Sequence, residues 1–186
     1  MSEMNIPNII TVSRILLVPV IVYLILTQSF SLAFALFVIA GVSDGLDGFL
    51  AKHFHMDTEL GAYLDPVADK TLLVSIFVAL GLVGHVPLWL VIAVVSRDIL
   101  IIGGVVMAWM IGRPLTMRPL VISKINTAVQ IGYASLVLAG LAFGILPENW
   151  LLGLSLLTGG LTIASACAYL ISWTRHMARA SDTDGR

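Results

Sequence analysis

Six long apolar segments are the feature that most constrains the fold of this chain. Apolar residues make up 59% of its 186 residues and charged residues only 11%, whereas a soluble domain is about half apolar and about a quarter charged. Each segment is long enough to cross roughly 30 Å of hydrocarbon as a helix. The sequence therefore predicts an all-α integral membrane protein with six transmembrane helices. The segments run approximately over Ile9–Thr27, Ser31–Ala51, Ala62–Gly84, Pro87–Ile111, Ile122–Ile145 and Trp150–Trp173.

The breaks between the segments are short and carry turn-forming residues. Thr27-Gln28-Ser29 follows the first segment, Gly84-His85-Val86-Pro87 the third and Gly112-Arg113-Pro114 the fourth. No linker or internal repeat is visible, so we predict a single membrane domain over residues 1–180 and a short disordered tail over 181–186. The formal net charge of −1 gives no indication of nucleic-acid binding.

The basic residues predict the orientation of the six helices. Most of them fall at the ends of the even-numbered segments or in the tail, and the three loops on the other side contain none. By the positive-inside rule, both termini should lie in the cytoplasm. We expect a bacterial inner (cytoplasmic) membrane with the functional site facing the cytoplasm. The residues that carry this signal are Lys52, Arg113, Arg118, Lys124, Arg175, Arg179 and Arg186.

Four aspartates lie inside or beside the apolar segments, where a charge is costly. Asp44 and Asp47 are three residues apart near the end of the second segment, and Asp65 and Asp69 are four apart near the start of the third. These spacings place each pair on one helical face. The connection between the segments is short, so the two helices should be antiparallel neighbours with all four acids at a similar depth.

Such a cluster needs cationic compensation, because a carboxylate near the bilayer centre costs about 2.5–3.5 kcal/mol on insertion scales. Two divalent ions would balance the four charges, and ligation by carboxylate oxygens favours Mg²⁺ or Mn²⁺ over zinc. The alternatives are helix-end caps or surface charges, and a proton or cation relay in a transporter. The glycines of this stretch have an alternative too, since Gly41 and Gly45 form a G-x-x-x-G pair that suits tight helix packing.

Residues 44–69, DGLDGFLAKHFHMDTELGAYLDPVAD, resemble the signature of the CDP-alcohol phosphatidyltransferases. That signature reads D-x-x-D-G-x-x-A-R, a spacer, and G-x-x-x-D-x-x-x-D. The chain departs from it at Lys52, where the family has arginine; lysine keeps the charge but loses the bidentate fork to phosphate. The resemblance implies six transmembrane helices, a homodimer, and a polar cavity at the cytoplasmic leaflet.

The resemblance also implies roles for the matching residues. The four aspartates would hold two divalent ions, Mg²⁺ or Mn²⁺, and Asp69 would in addition be the general base. The nucleotide and its diphosphate would be bound by Gly48, Ala51, Lys52 and Gly61. The opening NIPNIITVSRILL resembles the branch that makes phosphatidylglycerophosphate and cardiolipin, which would add Asn8, Thr11 and Arg14 beside the nucleotide and the lipid phosphate. Asn8 could instead belong to a helix cap, and Arg14 could reach the interface along its aliphatic stem.

Two further segments resemble cardiolipin synthases of the CMP-forming type. They are Ser96-Arg97-Asp98 and the run SKINTAVQ over Ser123–Gln130. In that reading Arg97 and Lys124 would meet the anionic phosphates of phosphatidylglycerol or CDP-diacylglycerol. The alternative is a structural Arg97–Asp98 pair and an interfacial Lys124.

The resemblance thus implies phosphatidyl transfer from CDP-diacylglycerol to phosphatidylglycerol, which gives cardiolipin and CMP. The same enzyme class with glycerol-3-phosphate as acceptor, giving phosphatidylglycerophosphate, is the nearest alternative. A cation or proton transporter is more distant, because the acids crowd one end of two adjacent helices and no inverted repeat is visible.

Overall fold

The computed structural model consists of six α-helices. It describes the backbone of residues 6–54, 59–110, 121–145 and 148–184, and the side chains of 13–43, 70–104, 107, 110, 121–145 and 150–174. The helices are α1 (Ile6–Leu26), α2 (Phe30–Phe54), α3 (Glu59–Leu82), α4 (Leu88–Met110), α5 (Val121–Phe143) and α6 (Glu148–Asp184).

The six predicted helices are confirmed, each within a few residues of its apolar segment except at the end of α6. By length and composition, two stretches of the described residues qualify as membrane spans, Val121–Phe143 and Trp150–Thr174. Shorter apolar stretches lie in α1, α2 and α3. Helix α6 continues to Asp184, where the sequence predicts a disordered tail from residue 181. The Ala and Arg residues before it, in HMARAS, are good helix formers and extend the helix.

The helices form a closed ring around a shared interior. Among the described residues, α1 packs against both α2 and α3, α3 against α4, α4 against α6, α6 against α5, and α5 against α2. Helix α3 also crosses the interior to α5, where the rings of Phe77 and Tyr133 stack with centroids 5.8 Å apart. No contact joins the described parts of α2 and α3 directly, because α1 lies between them.

Helices α1, α3 and α5 end at the same end of the bundle, which we call the turn end, and each closes with a left-handed residue. These residues are Gln28 (φ 59°), Gly84 (φ 82°) and Gly144 (φ 68°). In each turn the next amide donates to the carbonyl five residues back, as in the hydrogen bond of 2.9 Å from His85 to Leu80. This is the bond that closes a Schellman motif.

Aromatic contacts hold the three turns together. Phe30 meets the His85 ring edge-on at 5.3 Å between centroids, and Phe34 meets Phe143 in the same way at 5.9 Å. The Ser31 hydroxyl donates to the carbonyl of Ala142. The opposite end of the bundle, where the motif aspartates lie in the sequence of α2 and α3, is called the acid end below.

Glycines allow α4 to approach α3 and α6 closely. A Cβ atom at Gly159 would lie 2.3 Å from the Trp89 ring, and one at Gly81 would lie 2.7 Å from a Val91 methyl group. A Cβ at Gly104 would lie 3.0 Å from the ring of Tyr169, whose hydroxyl donates to the carbonyl of Ile101. Small residues at these contacts let membrane helices pack through their backbones.

Candidate active site

The two helices that carry the motif aspartates converge on one cavity of about 270 Å³. Gly41 of α2 lines this cavity, and Asp44 lies three residues further on in the same helix, about 4.5 Å along its axis. Lys70 of α3 also lines it and directly follows Asp69. The aspartate positions of both helices therefore follow these lining residues toward the acid end. The side chains of Asp44, Asp47, Asp65 and Asp69 lie outside the described ones.

The cavity is lined mostly by apolar side chains, with charged groups at a few points. Helices α1 to α5 all contribute to its wall, including Phe37, Leu73 and Gln130. The charged residues in the wall are Arg14, Lys70, Arg97 and Asp98. Among the described side chains, three cations and one anion thus line an apolar space. Such a space suits a molecule that bears both negative charge and apolar groups.

Arg97 is the centre of a buried polar cluster that joins α4 to α5 and α6. Its side chain is 2% exposed. One terminal nitrogen donates to an Asp98 carboxylate oxygen at 2.5 Å, and the other donates to the hydroxyl of Ser123 and to that of Ser165 at 3.3 Å. Its Nε has no hydrogen-bond partner among the described residues. The Arg97–Asp98 pairing that the sequence left as an alternative is present, and Arg97 lines the cavity as well.

Asp98 accepts a second cation, from the neighbouring helix. The Lys70 ammonium lies 3.7 Å from the carboxylate oxygen of Asp98 that Arg97 also contacts. Lys70 is about one-third exposed, whereas the Asp98 side chain is 8% exposed. The position of Lys70 directly after Asp69 predicts either a charge balance for the acidic cavity or a side chain that reaches the interface along its stem, and its contact with Asp98 was not predicted. We call Lys70, Arg97, Asp98, Ser123 and Ser165 the charged junction.

The remaining predicted site residues differ in their position relative to the cavity. Arg14 is 2% exposed and lines the cavity, so it does not reach outward to an interface. Lys124 is exposed and is not among the residues that line the cavity. Asn8, Thr11, Gly48, Ala51, Lys52 and Gly61 have backbones in α1, α2 and α3, and their side chains lie outside the described part of the chain.

A second polar cluster lies between α5 and α6 without any charged member. Gln130 Nε2 donates to Thr162 Oγ1 at 3.1 Å, and Thr162 Oγ1 donates to Asn126 Oδ1 at 3.0 Å. One turn away, the hydroxyls of Tyr133 and Ser155 are 3.0 Å apart. All five side chains are 2% exposed or less. We call these five residues the α5–α6 polar ladder.

The donor set of the motif fits a hard divalent cation. Asp44, Asp47, Asp65 and Asp69 offer carboxylate oxygens, which Mg²⁺ and Mn²⁺ prefer. Both helices that carry them border the same cavity. No cluster of three or more metal-ligating side chains occurs within the described residues. In this arrangement the four aspartates would hold the metal at the acid end of the cavity.

A family comparison covers most of the chain. Residues 4–168 match the CDP-alcohol phosphatidyltransferase family. The chain is 34% identical over 185 residues to a probable CMP-forming cardiolipin synthase of Drosophila melanogaster, covering 91% of this chain and 58% of the relative. It is 35% identical over 181 residues to the CMP-forming cardiolipin synthase of Homo sapiens, covering 89% of this chain and 60% of the relative.

A relative that is named for another activity matches over nearly its whole length. The CDP-diacylglycerol–glycerol-3-phosphate 3-phosphatidyltransferase of Pseudomonas fluorescens is 36% identical over 196 residues, covering 98% of this chain and 95% of the relative. By contrast, the chain spans only about three-fifths of the length of the animal cardiolipin synthases it matches. The family match, the apolar helices and the aspartate motif agree, and this membrane protein belongs to the CDP-alcohol phosphatidyltransferase family.

Proposed function

We propose that this protein transfers the phosphatidyl group of CDP-diacylglycerol to phosphatidylglycerol, giving cardiolipin and CMP. The observation that carries the proposal is the hydrogen bond from Arg97 to Ser123. It joins the two segments that resemble CMP-forming cardiolipin synthases, Ser96–Asp98 and Ser123–Gln130, at the wall of the cavity. Similarity to the cardiolipin synthases of Drosophila melanogaster and Homo sapiens supports the same acceptor.

The reaction is a direct displacement at the phosphorus atom that bears the diacylglycerol. A hydroxyl oxygen of the acceptor glycerol forms the new O–P bond, and the anhydride bond to CMP breaks, so CMP leaves with the electron pair of that bond. Asp69 takes the hydroxyl proton. General-base catalysis of this kind contributes about 10²- to 10⁴-fold to a rate.

The charges of this chain divide between the two substrates in the proposal. Gly48, Ala51, Lys52 and Gly61, with Asn8 and Thr11, bind the nucleotide and diphosphate of the donor. Arg14 and Arg97, which line the cavity, supply positive charge to the lipid phosphates. Lys124, exposed at the start of α5, supplies charge outside the cavity. Two Mg²⁺ or Mn²⁺ ions held by the four aspartates would neutralise the diphosphate and favour the alkoxide.

The orientation and the assembly belong to the same proposal. The basic residues at the acid end support cytoplasmic termini and a site that faces the cytoplasm. The bacterial inner membrane is the location we propose, and the family resemblance supports a homodimer. With this orientation and location, a membrane-embedded site can exchange CMP with the aqueous cytoplasm while its lipid substrates remain in the bilayer.

Glycerol-3-phosphate is the second candidate acceptor. The observation in its favour is the near full-length match to the Pseudomonas fluorescens relative. The aspartate motif is neutral on this question, because it serves the nucleotide that both reactions share. The residues that bind the acceptor must therefore distinguish the two reactions.

Purified protein assayed for CMP release tests the proposal. CDP-diacylglycerol and Mg²⁺ or Mn²⁺ are supplied with phosphatidylglycerol, with glycerol-3-phosphate, or with no acceptor. We expect CMP release and cardiolipin formation with phosphatidylglycerol alone. Release with glycerol-3-phosphate alone would transfer the protein to the second candidate. If neither phosphatidylglycerol nor glycerol-3-phosphate supports CMP release, both proposed acceptors are refuted. Chelation of the divalent ions should remove the activity, and activity that survives it would refute the metal's role.

A further inference from the structure

A groove on the outer side of the bundle runs between α3 and α4. It has a volume of about 260 Å³. Its α3 wall is formed by Lys70, Thr71, Val74 and Ser75, and its α4 wall by Val95, Asp98, Ile99 and Ile102. Ile99 and Ile102 are 64% and 52% exposed, so the groove opens toward the surroundings of the bundle. In a membrane protein those surroundings are lipid chains.

Two residues line both this groove and the interior cavity. They are Lys70 and Asp98, whose ion pair spans α3 and α4 at 3.7 Å. The pair therefore stands in the wall that separates the cavity from the groove. Parting these two side chains would connect a space that borders the aspartate motif with one that borders the lipid.

The two ion pairs of Asp98 differ in a way that frees Lys70 for another anion. Asp98 keeps its hydrogen bond to Arg97, and a hydrogen bond between two charged groups is among the stronger ones. The Lys70 contact is longer, at 3.7 Å, and Lys70 is the more exposed partner. Lys70 can therefore exchange Asp98 for a phosphate without leaving a carboxylate unpaired in an apolar environment, which is the costly outcome for a buried charge.

The position of the groove around the ring favours the acceptor over the donor. The nucleotide residues expected from the motif lie on α1, α2 and the start of α3, whereas the groove lies on the other side of α3, against α4. In a phosphoryl displacement the attacking and leaving oxygens lie roughly in line across the phosphorus atom. A lipid that arrives between α3 and α4 therefore comes from the α4 side of α3, whereas the nucleotide is expected on its α1 side.

We propose that the anionic phospholipid acceptor binds from the bilayer in this groove. One of its acyl chains lies between α3 and α4, its phosphate replaces Asp98 at Lys70, and its headgroup enters the cavity where the ion pair parted. The apolar and hydroxyl-bearing walls fit a chain near its ester region, and Lys70 fits an anionic rather than a zwitterionic headgroup. The assignment of this lipid as acceptor rests on the proposed function; its binding in the groove does not.

Photo-crosslinking of lipid in nanodiscs tests the binding without any turnover. The full chain is reconstituted in phosphatidylcholine with a small fraction of phosphatidylglycerol or phosphatidylcholine that carries the same diazirine-labelled acyl chain, and no donor is added. We expect label on residues 70–75 and 95–102, about fivefold stronger for phosphatidylglycerol, which is the preference that one interfacial lysine supplies. Lys70→Gln should remove that preference, and Lys70→Arg should retain it.

A pair of neighbouring variants controls for general effects of bulk. Ile99→Trp places a large ring at the mouth of the groove, and Leu100→Trp places the same ring on the adjacent residue, which is 42% exposed and does not line the groove. Only Ile99→Trp should reduce the labelling. Equal labelling by the two headgroups in the wild-type protein, or labelling that Ile99→Trp leaves intact, would overturn the proposal. Groove labelling by phosphatidylglycerol in a protein that turns over only glycerol-3-phosphate would refute the proposed acceptor and support the groove as an anionic-lipid site.

Discussion

The α5–α6 polar ladder and the charged junction are both buried polar clusters in an apolar bundle, but they are built for different purposes. The ladder consists of neutral groups that satisfy one another, apart from Asn126 Nδ2, which has no partner among the described residues. The junction contains two cations and one anion, and it borders the cavity. The ladder thus joins two helices through neutral hydrogen bonds, whereas the junction places charged side chains at the cavity wall, where the proposed lipid phosphate would bind.

The largest effect is expected at the acid end, next to the charged junction. Asp69→Asn should lower CMP release by about 100-fold or more, because it removes the proposed base and a metal ligand. The measurement is CMP release with CDP-diacylglycerol and phosphatidylglycerol. Asp57→Asn, the same chemical change outside the motif, is the control. Activity of Asp69→Asn at the level of this control would exclude Asp69 as the base.

In the junction, Arg97→Met should destabilise the protein by about 3–5 kcal/mol, as removal of one partner of a buried ion pair does. Lys70 still compensates part of the Asp98 charge, which favours the lower end of that range. Unfolding in detergent measures the change. Gln130→Met is the control, because it replaces a polar side chain of the ladder with an apolar side chain of the same general shape. If both variants unfolded equally easily, charge would not be what distinguishes the two clusters.

Gly159→Ala tests whether the contact between α4 and α6, which Arg97 and Ser165 of the charged junction also bridge, is as close as the structure shows. A methyl group there overlaps the Trp89 ring, and overpacking of this kind costs about 1–3 kcal/mol. Gly160→Ala on the next position, where a Cβ would meet nothing within 4 Å, should leave the unfolding transition unchanged. A loss of stability in Gly160→Ala alone would contradict the packing seen between α4 and α6.

The smallest effect is expected in the ladder. Tyr133→Phe removes the hydroxyl that is hydrogen-bonded to Ser155. Hydrogen bonds between membrane helices contribute about 0.6 kcal/mol on average, so unfolding should shift slightly and CMP release should stay at the wild-type level. Ser135→Ala, which removes a hydroxyl bonded to its own helix, is the control. A large loss of activity in Tyr133→Phe would show that the ladder also serves the reaction.

Sequence patterns were sufficient for the helices, whereas the location of the metal site stays a prediction. Hydrophobic segments of membrane-spanning length and the turn residues between them predicted all six helices. The spacing of Asp44, Asp47, Asp65 and Asp69 predicted a metal site on α2 and α3, and both helices border the cavity. The short connection between α2 and α3 predicted that they are direct neighbours, but no contact joins their described parts, because α1 packs against both.

The junction could be predicted only in part, because its contacts are tertiary. Residues 97 and 98 are adjacent in α4, and adjacent helical residues do not normally face each other. Their pairing forms where α5 and α6 surround Arg97 with hydroxyl groups. Lys70 reaches Asp98 from a helix 28 positions earlier in the sequence, a contact that no local pattern encodes. The ladder did leave a signal, since positions 126, 130 and 133 share one helical face.

The three left-handed helix ends have a mechanical consequence for the bundle. Gln28, Gly84 and Gly144 close three helical hairpins, α1–α2, α3–α4 and α5–α6, and each hairpin consists of two neighbours in the ring. Contacts between the turns hold the three hairpins together at the turn end, and mainly side-chain contacts join them elsewhere. A lipid that enters between α3 and α4, as proposed, would therefore have to part these helices away from Gly84 rather than at it, because the turn end joins all three hairpins.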